Sequence, residues 1–528
     1  MSDPQAEPYS YDLVPYPDKP YAQTHPDRLA TIARLFGMTP PSIGECRVLE
    51  IGCGSGGNLI PMAEALPDSR FLGIDLSEAQ IADGHGVVRQ LGLSNIELRH
   101  LDILGVGPDF GKFHYILCHG VYSWVPKPVQ ERILDICASN LAEDGVAYVS
   151  YNTYPGWHLR EMIRHMMRYH ADRFTDPKEQ VAQARALLDF LGTAAGDDEV
   201  YGKLLRRETR LLRGLPDAYL FHEHLEGVNA PIYFHEFAER LAQRRLQYIG
   251  DAQMAAMYAE NLPDEVAATL KRVALGMVQM EQYMDFVVNR GFRQSLLCHE
   301  GVAPDRRLRA ERLEGLYVAS PLKRVGSDEP AQNDAGLKFQ HRSDERSITT
   351  KSPLLKAALE QLEACWPGSI AFPHLLATAR ERMGLPTVDT TENAARIAKV
   401  LGTSLLKCYL AGLAELRCTP SPFTTSVSER PAARASARLK AASQSGVTNC
   451  RHESVRLRDL DRHVLQHLDG TRDHTQLLAV LKALVEQGTL VVQQDGRPMA
   501  SGQQSINDLA EALDESLGRL ASAALLVR

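Results

Sequence analysis

The 528-residue sequence lacks long apolar runs and an excess of basic residues, and no export signal is predicted from its opening residues. No stretch approaches the roughly 18 consecutive apolar residues of a membrane-spanning helix, so no membrane insertion is predicted. The 58 Lys and Arg residues are outnumbered by 66 Asp and Glu residues, and the net charge of −8 argues against nucleic acid as a partner. The opening MSDPQAEPYSYD does not join a basic stretch to an apolar one. We therefore expect a cytoplasmic protein.

Cysteine is scattered, and no two cysteines form a CxxC pair. This pattern is typical of reduced thiols and argues against a disulfide framework and against a cysteine-rich zinc site. Histidine and glutamate cluster at residues 222–236, but their spacing is not HExxH, so no metal site is predicted. The cysteines are Cys46, Cys53, Cys118, Cys137, Cys298, Cys365, Cys408, Cys418 and Cys450.

The first part of the chain alternates between short apolar runs and segments with helical period. Strands that alternate with helices of about 10–15 residues require crossover connections. They predict an α/β fold with a mostly parallel, Rossmann-like sheet that helices cover on both faces. The predicted strands are 47–54, 70–77, 96–104, 113–121 and 145–153, and the predicted helices are 24–37, 58–66, 78–92 and 128–141.

The rest of the chain reads as further domains. Helical period dominates from about residue 155, and near the C-terminus a helix, a turn, a second helix and a short strand fit a winged-helix-like unit. Asp473 followed by Gln476 predicts the capped start of that second helix. The predicted divisions are an α/β domain at 1–175, a helical domain at 176–325, a linker at 326–347, and a C-terminal domain at 348–528 with a mobile Pro-, Ser- and Ala-rich segment at 419–446.

A glycine-rich turn follows the first predicted strand, where the sequence reads EIGCGSGGN from Glu50 to Asn58. Glycine allows a tight turn and lets a cofactor approach the backbone, and the following helix adds free N–H groups. The glycines Gly52, Gly54 and Gly57 also satisfy the GxGxxG fingerprint of dinucleotide-binding proteins. The turn alone therefore leaves three readings open: a nucleoside cofactor, a dinucleotide, or no ligand.

An acidic residue stands at the end of each of three consecutive strands. Glu50 precedes the glycines, where a carboxylate suits a cationic head group better than a pyrophosphate. Asp75 is placed to accept from ribose hydroxyls, and Asp102 from an exocyclic adenine amine. These acids favour a nucleoside cofactor with an ammonium group.

At these residues the sequence resembles the class I S-adenosylmethionine-dependent methyltransferases, whose motif I stands here as EIGCGSG. The resemblance implies a seven-stranded sheet with one reversed strand and S-adenosyl-L-methionine as the cofactor. It places Glu50 and the glycine turn beside the methionyl part, Asp75 at the ribose and Asp102 at the adenine. The residues it assigns to cofactor binding are Glu50, Gly52, Cys53, Gly54, Ser55, Gly56, Asn58, Asp75, Leu76, Asp102, Ile103 and His119.

Further segments resemble a narrower group. It consists of bacterial methyltransferases with a methyltransferase regulatory domain and a winged-helix tail, related to lysine methyltransferases of outer-membrane proteins. The resemblance implies a protein substrate, which an outer-membrane or secreted protein before export would fit, and allows a homodimer. A small-molecule N- or O-methyltransferase and a non-catalytic, cofactor-binding regulatory protein stay open as alternatives. The segments are HGVYSWVP (119–126), SYNTYPGWHLR (150–160), FHEHLEGVNAPIYFHEFAE (221–239), NRGFRQSLLCHE (289–300) and LDGTRDHTQLL (468–478).

The methyl acceptor is expected where the fourth and fifth strands end, because ligands bind at the carboxyl ends of parallel strands. Tyr122 and Trp124 there are candidates to wall a lysine stem, and Asn152 is a candidate polar contact. His119 is a candidate base or hydrogen-bond partner of the cofactor. The alternative for Tyr122 and Trp124 is that they pack the loop onto the sheet.

Three arginines, Arg160, Arg164 and Arg168, recur at helical spacing directly after these residues. Such a stripe is commonly a solvated helix face. Its position after the fifth strand also allows it to steer an acidic substrate.

Overall fold

The computed structural model describes residues 10–14, 18–196, 199–326, 336–384, 391–490, 493–494, 497–498 and 503–528. The chain forms two compact units. The first comprises Met1–Asp18, Gly44–Leu59 and Asp68–Ala303, and the second comprises Lys19–Ile43, Ile60–Pro67 and Pro304–Arg528.

The first unit is built on a sheet of seven strands: β1 (Arg47–Ile51), β2 (Arg70–Asp75), β3 (Ile96–His100), β4 (Phe113–Cys118), β5 (Leu141–Asn152), β6 (Leu246–Asp251) and β7 (Phe292–His299). Their order is β3-β2-β1-β4-β5-β7-β6. The strands β1 to β5 pair in parallel, and β7 runs antiparallel to both of its neighbours. The structure confirms the predicted α/β class, with seven strands of which one is reversed.

The strands β6 and β7 lie inside 176–325, a region predicted to be a largely helical domain separate from the sheet, so that expectation is corrected. β7 is inserted between β5 and β6 and is buried along almost its whole length. Its polar residues, Arg293, Gln294 and Ser295, interrupt the apolar run that identifies a central strand. They are tolerated inside the sheet because buried partners satisfy them, as the Arg293 contacts described below illustrate.

Local signals fix the helices that surround the sheet. The helix Glu78–Leu91 begins where the Ser77 side chain accepts from the backbone N–H of Gln80, and it ends at Gly92 with φ of 64°. Such caps satisfy backbone groups that lack partners at helix ends. The helices of this unit are Ser10–Leu13, Glu78–Leu91, Lys127–Asn140, Gly156–Ala171, Pro177–Ala194, Val200–Arg213, Asp217–Leu220, Phe234–Ala242, Asp264–Val273 and Met277–Val288, with a π-helical turn at Phe221–Leu225.

The second unit is mostly helical, with short strands. The predicted capping box at Asp473 and Gln476 is confirmed, and it opens the helix His474–Glu486. The helices are Pro26–Leu35, Pro353–Cys365, Phe372–Arg382, Thr391–Leu410, Ala435–Ser443, Asp459–Gln466, His474–Glu486 and Gln503–Ser522, and Leu59–Ala65 begins at its boundary with the first unit. The strands are Tyr317–Ala319, Leu322–Val325, Leu337–His341, Ser347–Thr350, Ile370–Ala371, Glu415–Arg417, Ala432–Ala433, Gly446–Thr448, Ser454–Arg456, Gln493–Gln494, Arg497–Pro498 and Leu526–Val527.

Two segments that the sequence predicts as a linker and as a mobile stretch contain packed secondary structure instead. The predicted linker 326–347 contains the strand Leu337–His341, whose Phe339 is fully buried, while 327–335 lie outside the described residues. In the segment 419–446, the helix Ala435–Ser443 buries Ala437 and Ala441. The alanines there allow close packing of the helix. A composition rich in Pro, Ser and Ala does not by itself distinguish such a helix from a mobile linker.

Candidate active site

The glycine turn directly after β1 adopts a backbone that only glycine enters without strain. Gly52, Gly54 and Gly56 have φ values of 75°, 56° and 85°. A Cβ atom on Gly52 would lie 2.3 Å from Cγ2 of Val121, which follows β4. The turn therefore needs glycine both for its conformation and for its close approach to the neighbouring loop.

Asp75, at the end of β2, holds this turn in place. Its Oδ2 accepts from the backbone N–H of Gly54 at 2.8 Å, and its Oδ1 accepts from the backbone N–H of Ser77 at 2.9 Å. Burial raises the pKa of the carboxyl, while these two backbone hydrogen bonds oppose that rise. Asp75 thus links the glycine turn to the start of the helix after β2.

Glu50 presents a buried carboxylate oxygen that has no partner. The side chain is 3% exposed, and its Oε1 accepts from Nδ2 of Asn58 at 2.6 Å. Its Oε2 is buried and receives no hydrogen bond in the described part of the chain. The pKa of Glu50 is raised to about 8, mainly by burial and also by the nearby Asp18 and Asp75, while the Asn58 hydrogen bond opposes the rise. An ammonium group beside this oxygen would supply the missing donor and positive charge, so the residues fit the methionyl end of S-adenosylmethionine.

Apolar side chains are exposed to solvent just after the ends of β2 and β3. Leu76 is 47% exposed and Leu104 is 45% exposed. Asp102 is exposed and accepts from the backbone N–H of Leu104 at 2.9 Å, and the half-buried Ile103 lies between them. These residues offer apolar surface beside a carboxylate, which suits a purine with an exocyclic amine, and their predicted contacts stay predictions.

Two of the residues predicted to contact the cofactor, Cys53 and Ser55, pack the glycine turn against neighbouring elements in this structure. Cys53 is buried, and its Sγ lies 2.7 Å from where a Cβ on Gly73 of β2 would stand. The carbonyl oxygen of Ser55 lies 2.6 Å from the corresponding point on Gly84. Both residues therefore pack the turn against β2 and the helix Glu78–Leu91.

His119 and Trp124 lie in the loop after β4. Nδ1 of His119 is 2.9 Å from the hydroxyl of Tyr148, and its ring meets Phe292 edge-on at 6.2 Å. Trp124 is half-buried, with its ring 6.1 Å from that of Trp157. The roles predicted for His119 and Trp124 stay predictions.

The placement of Tyr122 favours packing over the predicted contact with the acceptor. The side chain is fully buried and packs edge-on against Phe237 at 5.5 Å. Its hydroxyl accepts from the Arg240 guanidinium at 3.1 Å, and burial raises its pKa to about 12. In this structure Tyr122 joins the loop after β4 to the core.

The end of β5 carries a polar and aromatic cluster. Nδ2 of Asn152 donates to Oδ1 of Asn229 at 2.9 Å. Two residues later, the Tyr154 hydroxyl donates to Oε2 of Glu161 at 3.0 Å, and its ring stacks on His158 at 4.1 Å. Asn229, Glu161 and His158 are not among the residues predicted from the sequence. His158 and Asn229 lie inside the family-like segments 150–160 and 221–239, which was the only signal for them, and Glu161 lies outside both segments.

The histidine-rich segment is explained by hydrogen bonds. His222 lies 2.6 Å from the Val14 carbonyl oxygen and 2.8 Å from the Glu226 carboxylate. His235 lies 2.9 Å from the side-chain oxygen of Gln282. Among the residues that the structure describes, no group of three His, Cys, Asp or Glu side chains is arranged to hold a metal ion. No helix in those described ranges is long and apolar enough to cross a membrane.

Affinity for S-adenosylmethionine is expected to rise with pH up to about 8. The carboxyl of Glu50 holds a proton below that pH in the free protein, and a bound ammonium favours its ionised form. Each pH unit lower should therefore cost about tenfold in affinity. Calorimetry between about pH 6 and pH 9 measures this. The same slope in Glu50→Gln would contradict the assignment, since that variant has no proton to release.

Known proteins match almost the full length of this chain. Three protein-family models match parts of the chain. The model described as "Methyltransferase domain" matches residues 48–145, the model described as "Predicted methyltransferase regulatory domain" matches residues 216–299, and the model described as "PKMT, C-terminal winged helix domain" matches residues 429–525. An uncharacterised protein of Rickettsia prowazekii is 35% identical over 98% of this chain and 93% of its own length. The structure of PKMT2 from Rickettsia typhi is 30% identical, with a TM-score of 0.88 over 97% of this chain and 100% of PKMT2. Its complex with AdoHcy matches equally.

The fold, the glycine turn and the unpartnered Glu50 oxygen define an S-adenosylmethionine-dependent methyltransferase of class I. More particularly, the chain belongs to the family of bacterial methyltransferases that combine this domain with the methyltransferase regulatory domain and the PKMT winged helix domain. These findings confirm the resemblance, the enzyme class and the cofactor that the sequence predicts.

Proposed function

We propose that this chain transfers methyl groups to lysine side-chain amines of a protein. The observation that carries the proposal is the cluster at the end of β5, where Asn152 and Tyr154 lie at the same edge of the sheet as the glycine turn. The likeness to PKMT2, a protein lysine methyltransferase, supports it. We place the reaction in the cytoplasm, with an outer-membrane or secreted protein before export as a fitting substrate.

The chemistry asks the protein to orient an amine and to keep it neutral. Bound S-adenosylmethionine supplies an electrophilic methyl group, and the amine must approach in line with the breaking bond. A lysine amine has an ordinary pKa of about 10.4, so the neutral form costs about 4–5 kcal/mol at pH 7. Partial burial lowers that cost because it disfavours the ammonium.

Tyr154 is suited to orient the amine. Its hydroxyl hydrogen points at Glu161, so its oxygen lone pairs remain available to accept from the N–H of a lysine. Burial and the Glu161 hydrogen bond raise its pKa to about 12, which keeps the hydroxyl protonated. The ring of Tyr233 lies 5.2 Å from that of Tyr154 and extends the aromatic surface for the lysine stem.

Replacing Tyr154 by alanine is expected to lower kcat roughly three- to thirtyfold, the scale of one aromatic contact with a cation-like group. The Kd for S-adenosylmethionine should stay within about twofold, because Tyr154 lies outside the glycine turn. Phe190→Ala, which removes a 65% exposed aromatic side chain from the helix Pro177–Ala194, away from the cluster, is the control. A loss of cofactor affinity as large as the loss of kcat would contradict the assignment of Tyr154 to the acceptor.

The acceptor class is tested with methyl-labelled S-adenosylmethionine and a cell extract that contains both envelope proteins and small metabolites. We expect label in protein, and acid hydrolysis should release it as methylated lysine. Label confined to the low-mass fraction would favour the small-molecule alternative. Cofactor binding without any labelled product would favour a regulatory protein without turnover.

A further inference from the structure

A cavity of about 390 Å³ adjoins the cluster at the end of β5. Pockets of this size bind small ligands or single side chains. Two of its lining residues, Glu161 and Asn229, are the partners of Tyr154 and Asn152. The cavity therefore shares residues with the proposed acceptor site. It is lined by Glu161, Arg164, His165, Arg168, Tyr169, Asp172, Gly227 and Asn229.

Two guanidinium groups in this cavity have no carboxylate partner. Arg164 is 5% exposed and donates to the carbonyl oxygens of His224, at 3.2 Å, and of Glu226. Arg168 donates to the carbonyl oxygen of Gly227 at 3.1 Å. Within the described ranges, no carboxylate lies at ion-pair distance from either arginine. Carbonyl oxygens are neutral, so neither arginine forms a salt bridge, although the carboxylates of Glu226, Glu161 and Glu223 act on Arg164 at longer range.

Two buried donors of the cavity are also unpaired. Nε of Arg168 and Nδ2 of Asn229 are buried and have no acceptor among the residues described. Buried donors in native proteins are usually satisfied, so these two mark a place for an acceptor group. The carboxylates that line the cavity do not fill this place, because Glu161 accepts from Tyr154 and Asp172 is solvent-exposed.

We infer that this cavity binds the carboxylate of an Asp or Glu residue that neighbours the target lysine in the acceptor protein. A carboxylate offers two acceptor oxygens and one negative charge, which match the two unpaired donors and the positive charge of Arg168. Binding this side chain beside Asn152 and Tyr154 would position the lysine at the cofactor. The inference rests on the proposed lysine methylation and names a feature of the substrate that it selects.

The test uses the full-length enzyme and synthetic peptides with one lysine and one glutamate moved along the flanking positions, each matched by a peptide with glutamine instead. For at least one position, the glutamate peptide should have a KM about tenfold lower at similar kcat. The variant Asn229→Asp keeps the oxygen that binds Asn152 and replaces the free NH₂ group with a carboxylate oxygen. It should remove the preference by raising KM for the glutamate peptide alone. Arg168→Gln should act in the same direction.

Arg207→Gln is the matched control, because this exposed arginine lies on the helix Val200–Arg213 and does not line the cavity. It should keep the glutamate preference. Equal KM values for all glutamate and glutamine pairs in the wild-type enzyme would overturn the inference and leave lysine methylation standing. Equal losses on both peptides in Asn229→Asp would also overturn it. Methylation of no lysine peptide, together with a labelled small molecule, would overturn the proposed function and the inference with it.

Discussion

Asp75→Ala is expected to weaken S-adenosylmethionine binding by about ten- to a hundredfold. The carboxylate accepts from the backbone N–H groups of Gly54 and Ser77, and the expected loss corresponds to one hydrogen bond to a charged group, about 1.5–3 kcal/mol. Alanine leaves both donors without their acceptor and frees the glycine turn that must approach the cofactor. Any contact of Asp75 with the ribose would be lost as well. Isothermal calorimetry measures the change in Kd.

The control for this prediction is Asp83→Ala. Asp83 is an exposed carboxylate on the helix Glu78–Leu91, so its removal makes the same change of charge away from the turn. Its Kd should match that of the unmodified enzyme within about twofold. Unchanged affinity in Asp75→Ala would mean that the glycine turn does not form the cofactor site.

Arg293→Met is expected to lower the local stability of β7 by about 3–5 kcal/mol, because it leaves buried carboxylates without their counter-charge. Arg293 is fully buried and donates to both oxygens of Asp285, at 2.7 and 2.8 Å, and to Oε2 of Glu281 at 3.0 Å. Its guanidinium also lies 3.9 Å from the centre of the Phe234 ring. Methionine keeps much of the volume and removes the charge.

Hydrogen exchange measured by mass spectrometry reports the opening free energy of the β7 amides directly. The control Arg272→Met, on the exposed face of the helix Asp264–Val273, should leave that value within about 0.5 kcal/mol. Protection of β7 that is unchanged in Arg293→Met would show that the charge network does not hold this strand in the sheet.

The same network supports the acceptor site. Arg290 also pairs with Asp285 at 2.6 Å, and its carbonyl oxygen accepts from the backbone N–H of Gly156 at 2.9 Å. A Cβ on Gly156 would lie 2.6 Å from that carbonyl, so glycine is needed for this contact. Gly156 directly follows the loop that carries Tyr154. Strain at β7 is therefore expected to reach the acceptor loop.

The cofactor half of the site was predictable from sequence because it depends on local order along the chain. Glu50, the glycines and Asp75 each stand at the end of a predicted strand, and parallel strands bring such ends to one edge. The motif EIGCGSG predicts the turn that requires glycine at position 52, and the distance from that motif to the end of the next strand predicts the position of Asp75.

The acceptor half depends on contacts between distant segments. Asn229 accepts a hydrogen bond from Asn152, which lies 77 positions earlier in the chain, and no local sequence pattern predicts that pair. The sequence left acceptor contact and packing both open for Tyr122 for the same reason, because the aromatic ring and the arginine that pack against it come from the helix Phe234–Ala242. The strand β7 was missed because its buried arginine makes a central strand look polar.

The central claim is that one crevice holds the cofactor at Glu50 and presents a lysine amine at Tyr154. A crystal structure with S-adenosylhomocysteine and a lysine peptide that the enzyme methylates measures this most directly. The account predicts the homocysteine amino group within hydrogen-bond distance of Oε2 of Glu50, and the lysine amine between Tyr154 and Asn152, facing the sulfur. A cofactor bound away from the glycine turn, or a lysine that reaches the sulfur from another side, would contradict it.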